Sequence, residues 1–399
     1  MPAPQRSGRA RVLASAAYLL GVCACGGSGP AALDALAEPE SVETRAVPRS
    51  HYLYALTYLA DNDEGFPIYT EISAYAIDPD TGALRPVPGA PFRTRHPLAG
   101  IQLVADPLGR FLFAVDGYGG RVSVFGVDAP TGALEEIPDS PVAVPGGVPV
   151  ALAVHPSGRL AYLAGWTTSI FELELDRATG VFREARRVSG PVDATSLAMD
   201  PRGRLVYAGD DGTHGGRLSF RELYGYRADA GTGRLSPAAG SPFPTGDGVR
   251  VCAVHPGGSF VYGWDDGLTV FRMDPETGIP LSLRVEPSLP VDPNDEIVFD
   301  TEGRFAYTSH GNAFTVDRAH GGMAPLEGSP FDVDQGRPHL DRHDAPVVVD
   351  PSGRFVYFGG PGGVAAFVID HESGALRPVD RPIAARDARR FAIVAAPQS

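Results

Sequence analysis

One pattern of short strands recurs seven times along this chain and constrains its fold more than any other feature. In the most visible part, an apolar run is followed by Asp or His, Pro, any residue and Gly, and then by Arg and an alternating aromatic strand. Copies of this part begin at Asp106, His155, Asp200, His255, Asp300 and Asp350, with Thr301 in place of the Pro in one copy and Ser259 in place of the Arg in another. The second half of the pattern opens the repeat region at His51. Pro presets φ and Gly accepts positive φ, as a tight hairpin requires. The aromatic alternation predicts a strand with one buried face.

Two further markers complete each copy. A third strand ends at an Asp that is always followed four residues later by a Gly, and such pairs favour a tight turn. The pairs begin at Asp78, Asp128, Asp176, Asp229, Asp274, Asp317 and Asp370. A fourth, weaker strand runs to a Pro, which cannot donate a ladder hydrogen bond and so predicts the outer edge of a sheet. These residues are Pro91, Pro141, Pro191, Pro242, Pro290, Pro330 and Pro382.

The two ends of the repeat region complement each other. The region begins at a second strand, and the last apolar run, Phe391 to Pro397, has the pattern of a first strand. Pairing these two strands would close a ring and remove the open edges between the first and last copies. We therefore predict an all-β, seven-bladed β-propeller with four-stranded blades over residues 49–397, closed by the C-terminal strand, with no second domain.

The N-terminus has the pattern of an export signal. Three arginines precede an apolar run, Val12 to Val22, which is too short to span a membrane as a helix. A small residue, then Cys25 and a Gly/Ser-rich stretch resemble a bacterial lipoprotein signal; the alternatives are Cys23, which fits less well, and an ordinary signal peptide. We predict a signal peptide at 1–24, lipidation of Cys25 and a flexible tether at 25–48. The expected location is the cell envelope, held only by the lipid.

Charge and cysteine content limit the kinds of partner that this chain can bind. The net charge is −14, and loss of the three N-terminal arginines would make it −17. An acidic chain without lysine is a poor nucleic-acid binder, because phosphate contacts need clustered basic groups. Cys252 would be the one thiol besides the lipidated cysteine, so a disulfide framework is excluded. We expect a monomer that binds a small molecule or an envelope protein, without a metal or other cofactor.

The propeller topology sorts candidate residues between two faces. Turns joining strands one to two and three to four lie on what we call the first face. Loops joining strands two to three, and one blade to the next, lie on the second face, where loops are free to carry function. Five histidines are expected on the first face and are interpreted as structural: His51, His155, His255, His320 and His371. The second face receives His96, His214, His310, His339 and His343, whose spacing is not that of a metal site.

Two loops on the second face are unusually polar. Residues 332–344 contain two His, two Arg and four Asp, including Arg337, His339 and His343, and are either a ligand or metal site or a solvated loop. Residues 61–65 are acidic but lack the later bidentate carboxylate of an EF-hand, which favours a solvated turn over a calcium loop. Other acids assigned to this face are Asp116, Asp210, Asp211, Asp265 and Asp266. No nucleophile elbow, phosphate-binding loop or His-Glu-x-x-His motif is present.

The repeats resemble a known family. The Asp/His-Pro-x-Gly-Arg-Phe-x-Tyr hairpin, the Asp-x-x-Thr-Gly-x-Leu turn and the Gly-Ser-Pro-Phe ending are similar to the lactonase-type seven-bladed propellers over about residues 50–397. That family includes a 6-phosphogluconolactonase and fungal muconate-lactonising enzymes. The resemblance implies a polar set on blades 4 and 5, where Arg250 and Asp210 match the family. Asp266 replaces a Glu, Val251 replaces a His, and two histidines of blade 4 are absent.

These departures from the family pattern leave two hypotheses about function. The first is a non-catalytic propeller that binds a ligand or protein on the second face, and it is favoured by the loss of the family's histidines. The second is a lactone or sugar-ester hydrolase with a rearranged site, in which Arg250 would hold the carbonyl or carboxylate oxygen and Asp266 would activate water. Asp210 completes the candidate catalytic set. Candidate ligand-binding residues are His96, His214, Asp265, Arg337, His339 and His343. Export disfavours 6-phosphogluconolactone as the substrate.

Overall fold

A computed structural model describes most of the repeat region. The described residues are 51–61, 67–96, 98, 100–117, 119–144, 147–166, 170–188, 194, 196–209, 222–245, 250–264, 267–286, 289, 291, 295–334, 345–360, 362–379, 383 and 388–395. All the regular secondary structure found among these residues is β-strand. The predicted boundaries of the signal peptide and tether lie outside these residues and stay predictions.

The strands form seven antiparallel sheets, six of them built from consecutive strands and one that also includes the last strand of the chain. Blade 1 holds β1 (His51–Asp61), β2 (Pro67–Ile77), β3 (Leu84–Pro86) and β4 (Phe92–Arg93). Blade 2 holds β5 (Gly100–Ala105), β6 (Phe111–Asp116), β7 (Arg121–Val127), β8 (Leu134–Glu136) and β9 (Val142–Ala143). Blade 3 holds β10 (Val148–Val154), β11 (Leu160–Trp166), β12 (Phe171–Leu175) and β13 (Phe182–Arg187). Blade 4 holds β14 (Ser196–Met199), β15 (Leu205–Gly209), β16 (Glu222–Ala228), β17 (Leu235–Pro237) and β18 (Phe243–Pro244).

The remaining blades repeat the same order. Blade 5 holds β19 (Arg250–Val254), β20 (Phe260–Trp264), β21 (Leu268–Met273) and β22 (Pro280–Glu286). Blade 6 holds β23 (Ile297–Phe299), β24 (Phe305–Thr308), β25 (Ala313–Val316) and β26 (Met323–Pro325). Blade 7 holds β27 (Val347–Val349), β28 (Phe355–Gly360), β29 (Gly363–Ile369) and β30 (Leu376–Pro378). The last strand, β31 (Ala388–Ala395), joins the sheet of blade 1.

The C-terminal strand closes the ring as the sequence predicts. β31 pairs antiparallel with β1, with His51 opposite Ala395 and Leu56 opposite Arg390. The first strands β31, β5, β10, β14, β19, β23 and β27 each contact the next, and β27 contacts β31 again. These seven strands therefore surround the axis, and the chain is a seven-bladed β-propeller.

A repeated tyrosine links neighbouring blades on the first face. Its hydroxyl donates a hydrogen bond to the carbonyl oxygen of the turn glycine in the following blade. These bonds join Tyr54 to Gly132 (2.9 Å), Tyr162 to Gly233 (2.6 Å), Tyr262 to Gly321 (2.9 Å), Tyr307 to Gly374 (2.9 Å) and Tyr357 to Gly82 (3.0 Å). The last of them joins blade 7 to blade 1. Burial raises the pKa of each of these phenols, so they remain hydrogen-bond donors at neutral pH.

The turn glycines are required by packing as well as by their turns. Gly82 adopts φ +74°, and a Cβ added there would lie 2.3 Å from the Phe355 ring of the preceding blade. Gly321 adopts φ +76°, and its added Cβ would lie 2.5 Å from the Phe260 ring. The sequence explained these glycines by the turn alone. The structure adds that each one lets the neighbouring blade approach closely.

The outer strand differs from the prediction in its relation to the repeated Pro. In blades 1, 2 and 4 the fourth strand stops several residues before that Pro, and a short segment directly after it pairs with the third strand again. The Ser before this Pro supports the arrangement, because Ser140 Oγ accepts a hydrogen bond from Val124 N at 3.0 Å. Ser241 and Ser329 accept equivalent bonds from Gly225 N at 3.1 Å and Ala313 N at 3.0 Å. The Pro therefore marks an interruption of the edge rather than the end of a strand.

The histidines assigned to the first face make contacts that hold turns together. His155 and His255 donate through Nε2 to the carbonyl oxygens of Gly203 and Gly303 in the next blade, at 3.1 and 2.8 Å. Burial lowers the pKa of both rings, so the neutral form is favoured in the folded protein. His51 lies 3.6 Å from an Asp350 carboxylate oxygen across the ring closure.

Candidate functional site

The second face of blade 5 carries the arginine that matches the family pattern. β19 begins at Arg250, which lies opposite Trp264 at the second-face end of an innermost strand. A register shift between Val251 and Ala253 adds one residue to β19. Asp265 and Asp266 follow Trp264 directly in the chain and lie outside the described residues. The backbone of Arg250 is thus placed at the second-face end of a strand in the inner ring.

Most of the other predicted site residues fall outside the described part of the chain. They are Asp210, His214, Arg337, His339, His343 and the lipidation residue Cys25. The acidic loop at 62–65 and most of the polar loop at 332–344 are outside it as well. Their assignment to a site stays a prediction.

Two predicted second-face residues are described and lie far from blade 5 along the ring. His96 is exposed in the connection between blades 1 and 2, where its carbonyl oxygen accepts a hydrogen bond from Thr94 Oγ1 at 2.6 Å. Asp116 of blade 2 is buried and pairs with Arg121 Nε at 2.8 Å. The same carboxylate accepts a bond from Gly119 N at 3.0 Å. Asp116 therefore holds the loop that follows β6.

A histidine–carboxylate pair occupies the second face of blade 6. Asp295 lies just before the innermost strand β23, and His310 lies in the loop between β24 and β25. His310 Nδ1 donates to Asp295 Oδ1 at 2.5 Å. The Asp295 side chain is fully buried, whereas the His310 side chain is 34% exposed. A buried carboxylate thus orients a ring that solvent reaches.

Hydrogen bonds and packing fix the loop that carries His310. Ser309 N donates to Glu296 O at 3.3 Å, and Glu296 N donates to Ser309 Oγ at 3.0 Å, so the two strand ends stay paired beyond the ladder. Gly311 adopts φ +82°, and an added Cβ would lie 2.5 Å from Phe331 O. Gly311 O accepts a bond from Phe331 N at 2.9 Å. The loop is therefore held by both the innermost strand and the segment leading out of blade 6.

The pair and Arg250 belong to neighbouring blades at similar depth. Glu296 pairs with Ser309 at the level that Arg250 and Trp264 occupy in blade 5, two residues beyond the repeated tyrosine of the second strand. β19 and β23 contact each other in the inner ring. The second-face ends of blades 5 and 6 thus place an arginine next to a blade that carries an oriented histidine.

His310 was among the predicted second-face residues, whereas Asp295 was not. The repeat register contained the missing signal, because residue 295 precedes the first strand and residue 310 follows the second, so an antiparallel pair brings them together. In blade 5 the residue at the position of His310 is Asp265. The polar side chains of this face therefore recur at matched positions although their chemistry changes from blade to blade.

Another buried carboxylate belongs to the packing between blades 3 and 4. Glu172 is buried and forms a double hydrogen bond with Arg186, and it also accepts one from Leu235 N at 2.5 Å in blade 4. The Glu172 carboxylate raises the pKa of the Arg186 guanidinium. Because every bond of this group is to the protein's own blades, we assign it to blade packing.

No group of three or more His, Cys, Asp or Glu side chains within the described ranges could hold a metal ion. Among the same residues there is no helix long and apolar enough to cross a membrane.

Comparisons with known proteins agree with the repeat pattern. The sequence model of a family described as "Lactonase, 7-bladed beta-propeller" matches residues 37–154. No curated protein matches the chain.

Solved structures share the fold at low sequence identity. One, from Bacteroides fragilis, is described as a candidate 6-phosphogluconolactonase; it is 16% identical, with 90% of this chain and 100% of that chain covered and a TM-score of 0.65. Another is the periplasmic gluconolactonase of Pseudomonas aeruginosa, at 20% identity, covering 87% of this chain and 100% of that chain with a TM-score of 0.62. The resemblance inferred from the repeats is confirmed, and this chain is a lactonase-like seven-bladed β-propeller.

Proposed function

We propose that this chain is an exported propeller, anchored to the cell envelope through Cys25, that binds a small ligand bearing a carboxylate or a lactone carbonyl. The supporting observation is the position of Arg250 at the second-face end of the innermost strand of blade 5. A guanidinium forms two parallel hydrogen bonds with a carboxylate, which gives both affinity and orientation. Loops at this face differ between blades and are free to shape specificity.

Ligand binding is tested with a sugar acid as the probe. Calorimetric titration of D-gluconate into the purified protein should give saturable binding, and Arg250→Ala should weaken it by about 10-fold or more, as expected for loss of a charge-assisted contact. Arg85→Ala is the matched control, because Arg85 is an exposed first-face arginine paired with Asp78. Equal affinity of the wild type and Arg250→Ala would contradict the placement of the ligand.

Hydrolysis of a lactone is the second candidate. It is supported by the similar fold of the periplasmic gluconolactonase and by the combination of Arg250 with a carboxylate, Asp266, shortly after the paired strand. In this scheme Arg250 holds the carbonyl oxygen and Asp266 activates water. A panel of lactones and chromogenic esters should show hydrolysis that Arg250→Ala and Asp266→Asn both reduce. Turnover unchanged by both substitutions would rule out this set.

Anchoring is tested separately from binding. In a bacterial host that processes lipoproteins, the wild type should fractionate with membranes and incorporate labelled fatty acid. Cys25→Ala should release the protein into the soluble fraction, because a single lost anchor removes the membrane attachment. Cys252→Ala serves as the control, since its thiol is far from the signal in sequence. Retention of Cys25→Ala in membranes would refute lipidation at this residue.

A further inference from the structure

We propose that Trp264 is a specificity-determining residue of the second face, where it stacks on the ring of the ligand and selects cyclic sugar acids, such as uronic acids, over open-chain ones. The proposal rests on the proposed function for the carboxylate of the ligand and for its location at blade 5. It goes beyond that function because it names a second contact and the part of the ligand that this contact recognises. Trp264 ends β20, and its backbone pairs with that of Arg250 at the second-face end of the inner ring.

Comparison of the seven blades shows how Trp264 departs from the repeat. Trp264 lies two residues beyond the repeated aromatic residue of the second strand, and the structure describes this position in every blade. In the other six blades the residue is smaller and buried: Leu56, Val115, Ala164, Gly209, Ser309 and Gly359. Trp264 is half-buried. Neighbouring blades therefore pack at this position without a large side chain, and the indole adds surface that solvent reaches.

The protein side of the indole is an apolar base. Trp264 and the half-buried Leu289 pack against a cluster that includes the buried residues Leu268, Val291 and Ile297. These residues belong to blade 5, to blade 6 and to the connection between them. The indole is thus held against a packed surface at the second-face end of the seam between the two blades, while part of it remains accessible. A binding residue that is fixed before the ligand arrives loses little entropy on binding.

The length of the neighbouring connection keeps this end of blade 5 open. Trp264 pairs with Leu268, so residues 265–267 form the whole connection between β20 and β21. In blade 4 the corresponding connection is residues 210–221. A connection as short as that of blade 5 closes the hairpin and leaves no length of chain to fold back over the indole. The position is therefore suited to a ligand that approaches along the strand end.

The chemistry of an accessible indole favours a ligand with a ring. The C–H bonds on one face of a pyranose form an apolar surface, whereas its hydroxyl groups lie at the rim. Such a surface can stack on an indole, which offers a large, rigid contact area at a low cost in conformational entropy. An open-chain sugar acid carries the same carboxylate but has no flat face, and it loses more conformational freedom on binding. The ring is therefore the feature that Trp264 recognises.

The test compares three probes by calorimetric titration into the purified full-length protein. D-glucuronate has a pyranose ring and a carboxylate, D-gluconate has the carboxylate on an open chain, and methyl β-D-glucopyranoside has the ring without the charge. We expect the wild type to bind D-glucuronate about 5-fold or more tightly than D-gluconate, which corresponds to one good aromatic contact. Because the rigidity of the ring contributes to this preference in any site, the variants of Trp264 decide its origin.

Two variants and a control isolate the indole. Trp264→Leu removes it and introduces the residue type that blade 1 holds at the same position, where Leu56 is buried. This variant should prefer D-glucuronate by about 2-fold or less, whereas Trp264→Tyr keeps an aromatic ring and should retain most of the preference. Phe92→Leu is the matched control, because Phe92 is a half-buried aromatic residue at the outer edge of blade 1. Its preference should equal that of the wild type, and thermal unfolding should show that every variant folds.

Intrinsic fluorescence reports the contact directly. The chain has two tryptophans, so Trp166→Phe leaves Trp264 as the single tryptophan emitter. Saturation with D-glucuronate should quench or shift this emission, because a stacked ring displaces water from the indole. An unchanged spectrum at a concentration that calorimetry shows to be saturating would contradict the contact.

The outcomes separate the two proposals. Equal affinity for D-glucuronate and D-gluconate, or a preference that survives in Trp264→Leu, would overturn the stacking and leave the carboxylate-binding function standing. Binding of methyl β-D-glucopyranoside that requires Trp264, without binding of either acid, would support the stacking and reject the carboxylate as the recognised group. A folded wild type that binds none of the three probes would overturn both proposals.

Discussion

The two faces of this propeller are built from the same seven blades but follow different rules. On the first face one turn is repeated with almost no variation, and a tyrosine of each linked blade contacts the glycine of the next. On the second face the loops differ in length and chemistry, from the ion pair of Asp116 and Arg121 to the pair of Asp295 and His310. A face that joins every blade tolerates little change, whereas a face of independent loops can diversify one blade at a time.

The first face itself contains exceptions to the repeated hydrogen bond between tyrosine and glycine. Blade 2 has Phe113 where five other blades use a tyrosine to reach the following glycine, and it packs against Phe182 of blade 3 with ring centroids 5.4 Å apart. We call the contact between two neighbouring blades a seam. At the seam between blades 2 and 3, apolar packing replaces the hydrogen bond. The buried Tyr207 hydroxyl of blade 4 also lacks a hydrogen-bond partner among the described residues. Neighbouring blades therefore pack closely even where this hydrogen bond is absent.

The largest effect is expected from a turn glycine of the first face. Gly321→Ala would place a Cβ 2.5 Å from the Phe260 ring and impose φ +76° on an alanine. Left-handed backbone costs about 1–2 kcal/mol and overpacking about 1–3 kcal/mol, so the free energy of unfolding should fall by about 3 kcal/mol. Chemical denaturation measures this change.

Gly328→Ala is the control for this substitution. Gly328 adopts φ +85°, but the nearest atom to an added Cβ is a Phe331 ring carbon at 3.7 Å. The free energy of unfolding of the Gly328→Ala variant should therefore fall only by the cost of the left-handed backbone, about 1–2 kcal/mol. Equal losses at both glycines would show that close packing between blades adds nothing to the requirement for glycine.

Removing one seam hydrogen bond should have a smaller effect. Tyr262→Phe leaves the Gly321 carbonyl oxygen without its buried donor, and the free energy of unfolding should fall by about 1–2 kcal/mol. Phe113→Tyr is the reverse change at a seam that lacks the bond, and it should not produce the same loss. A Tyr262→Phe variant as stable as the wild type would mean that packing alone holds the seams.

Acidification should weaken the first face through His155 and His255. Burial lowers the pKa of both rings below the ordinary value of 6.5, so the unfolded chain binds protons that the folded protein resists. The free energy of unfolding should be highest above this pH and should decrease as the pH falls below it toward the lowered values. Equilibrium unfolding at pH 7.5 and 5.5 should show the decrease.

The double variant His155→Gln/His255→Gln identifies the source of this dependence. Glutamine can donate to the same glycine carbonyl oxygens without titrating, so the variant should lose less stability between the two pH values than the wild type. An identical decrease in both proteins would assign the dependence to other groups.

The smallest effect on stability is expected at an exposed residue of the second face. His96 is exposed in the connection between blades 1 and 2, and His96→Ala should change the free energy of unfolding by no more than about 0.5 kcal/mol. His255→Ala should cost considerably more, because it removes the bond to Gly303 O from a buried ring. Similar losses in the free energy of unfolding from both substitutions would show that residues of the two faces do not differ in their contribution to stability.

Most of the fold could be predicted from the sequence, because its causes are local. Six hairpin turns, five of them with Pro-x-Gly, and seven Asp-to-Gly turns specify strand order within the blades. The apolar C-terminal run indicated its pairing with β1. The prediction was wrong about the repeated Pro in blades 1, 2 and 4, where it interrupts the outer edge instead of ending a strand. That error arose because the return of the chain to the third strand depends on contacts such as Ser140 Oγ with Val124 N, which no local pattern reveals.

The candidate site was less predictable. Arg250 was found through the family pattern, and its role in a site stays a prediction; the structure places its backbone at the start of an innermost strand. Asp295 was missed because an aspartate before a strand has no distinguishing spacing, and its significance comes from a ring that lies 15 residues further along the chain.

The number of blades, the order of their strands and the closing of the ring follow from the amino-acid sequence, since turns and strand patterns act over a few residues. The folded structure is needed to explain why the turn glycines admit no side chain and which second-face groups meet. Those contacts join residues of different blades, or opposite ends of paired strands, and burial and distance exist only after the ring has closed.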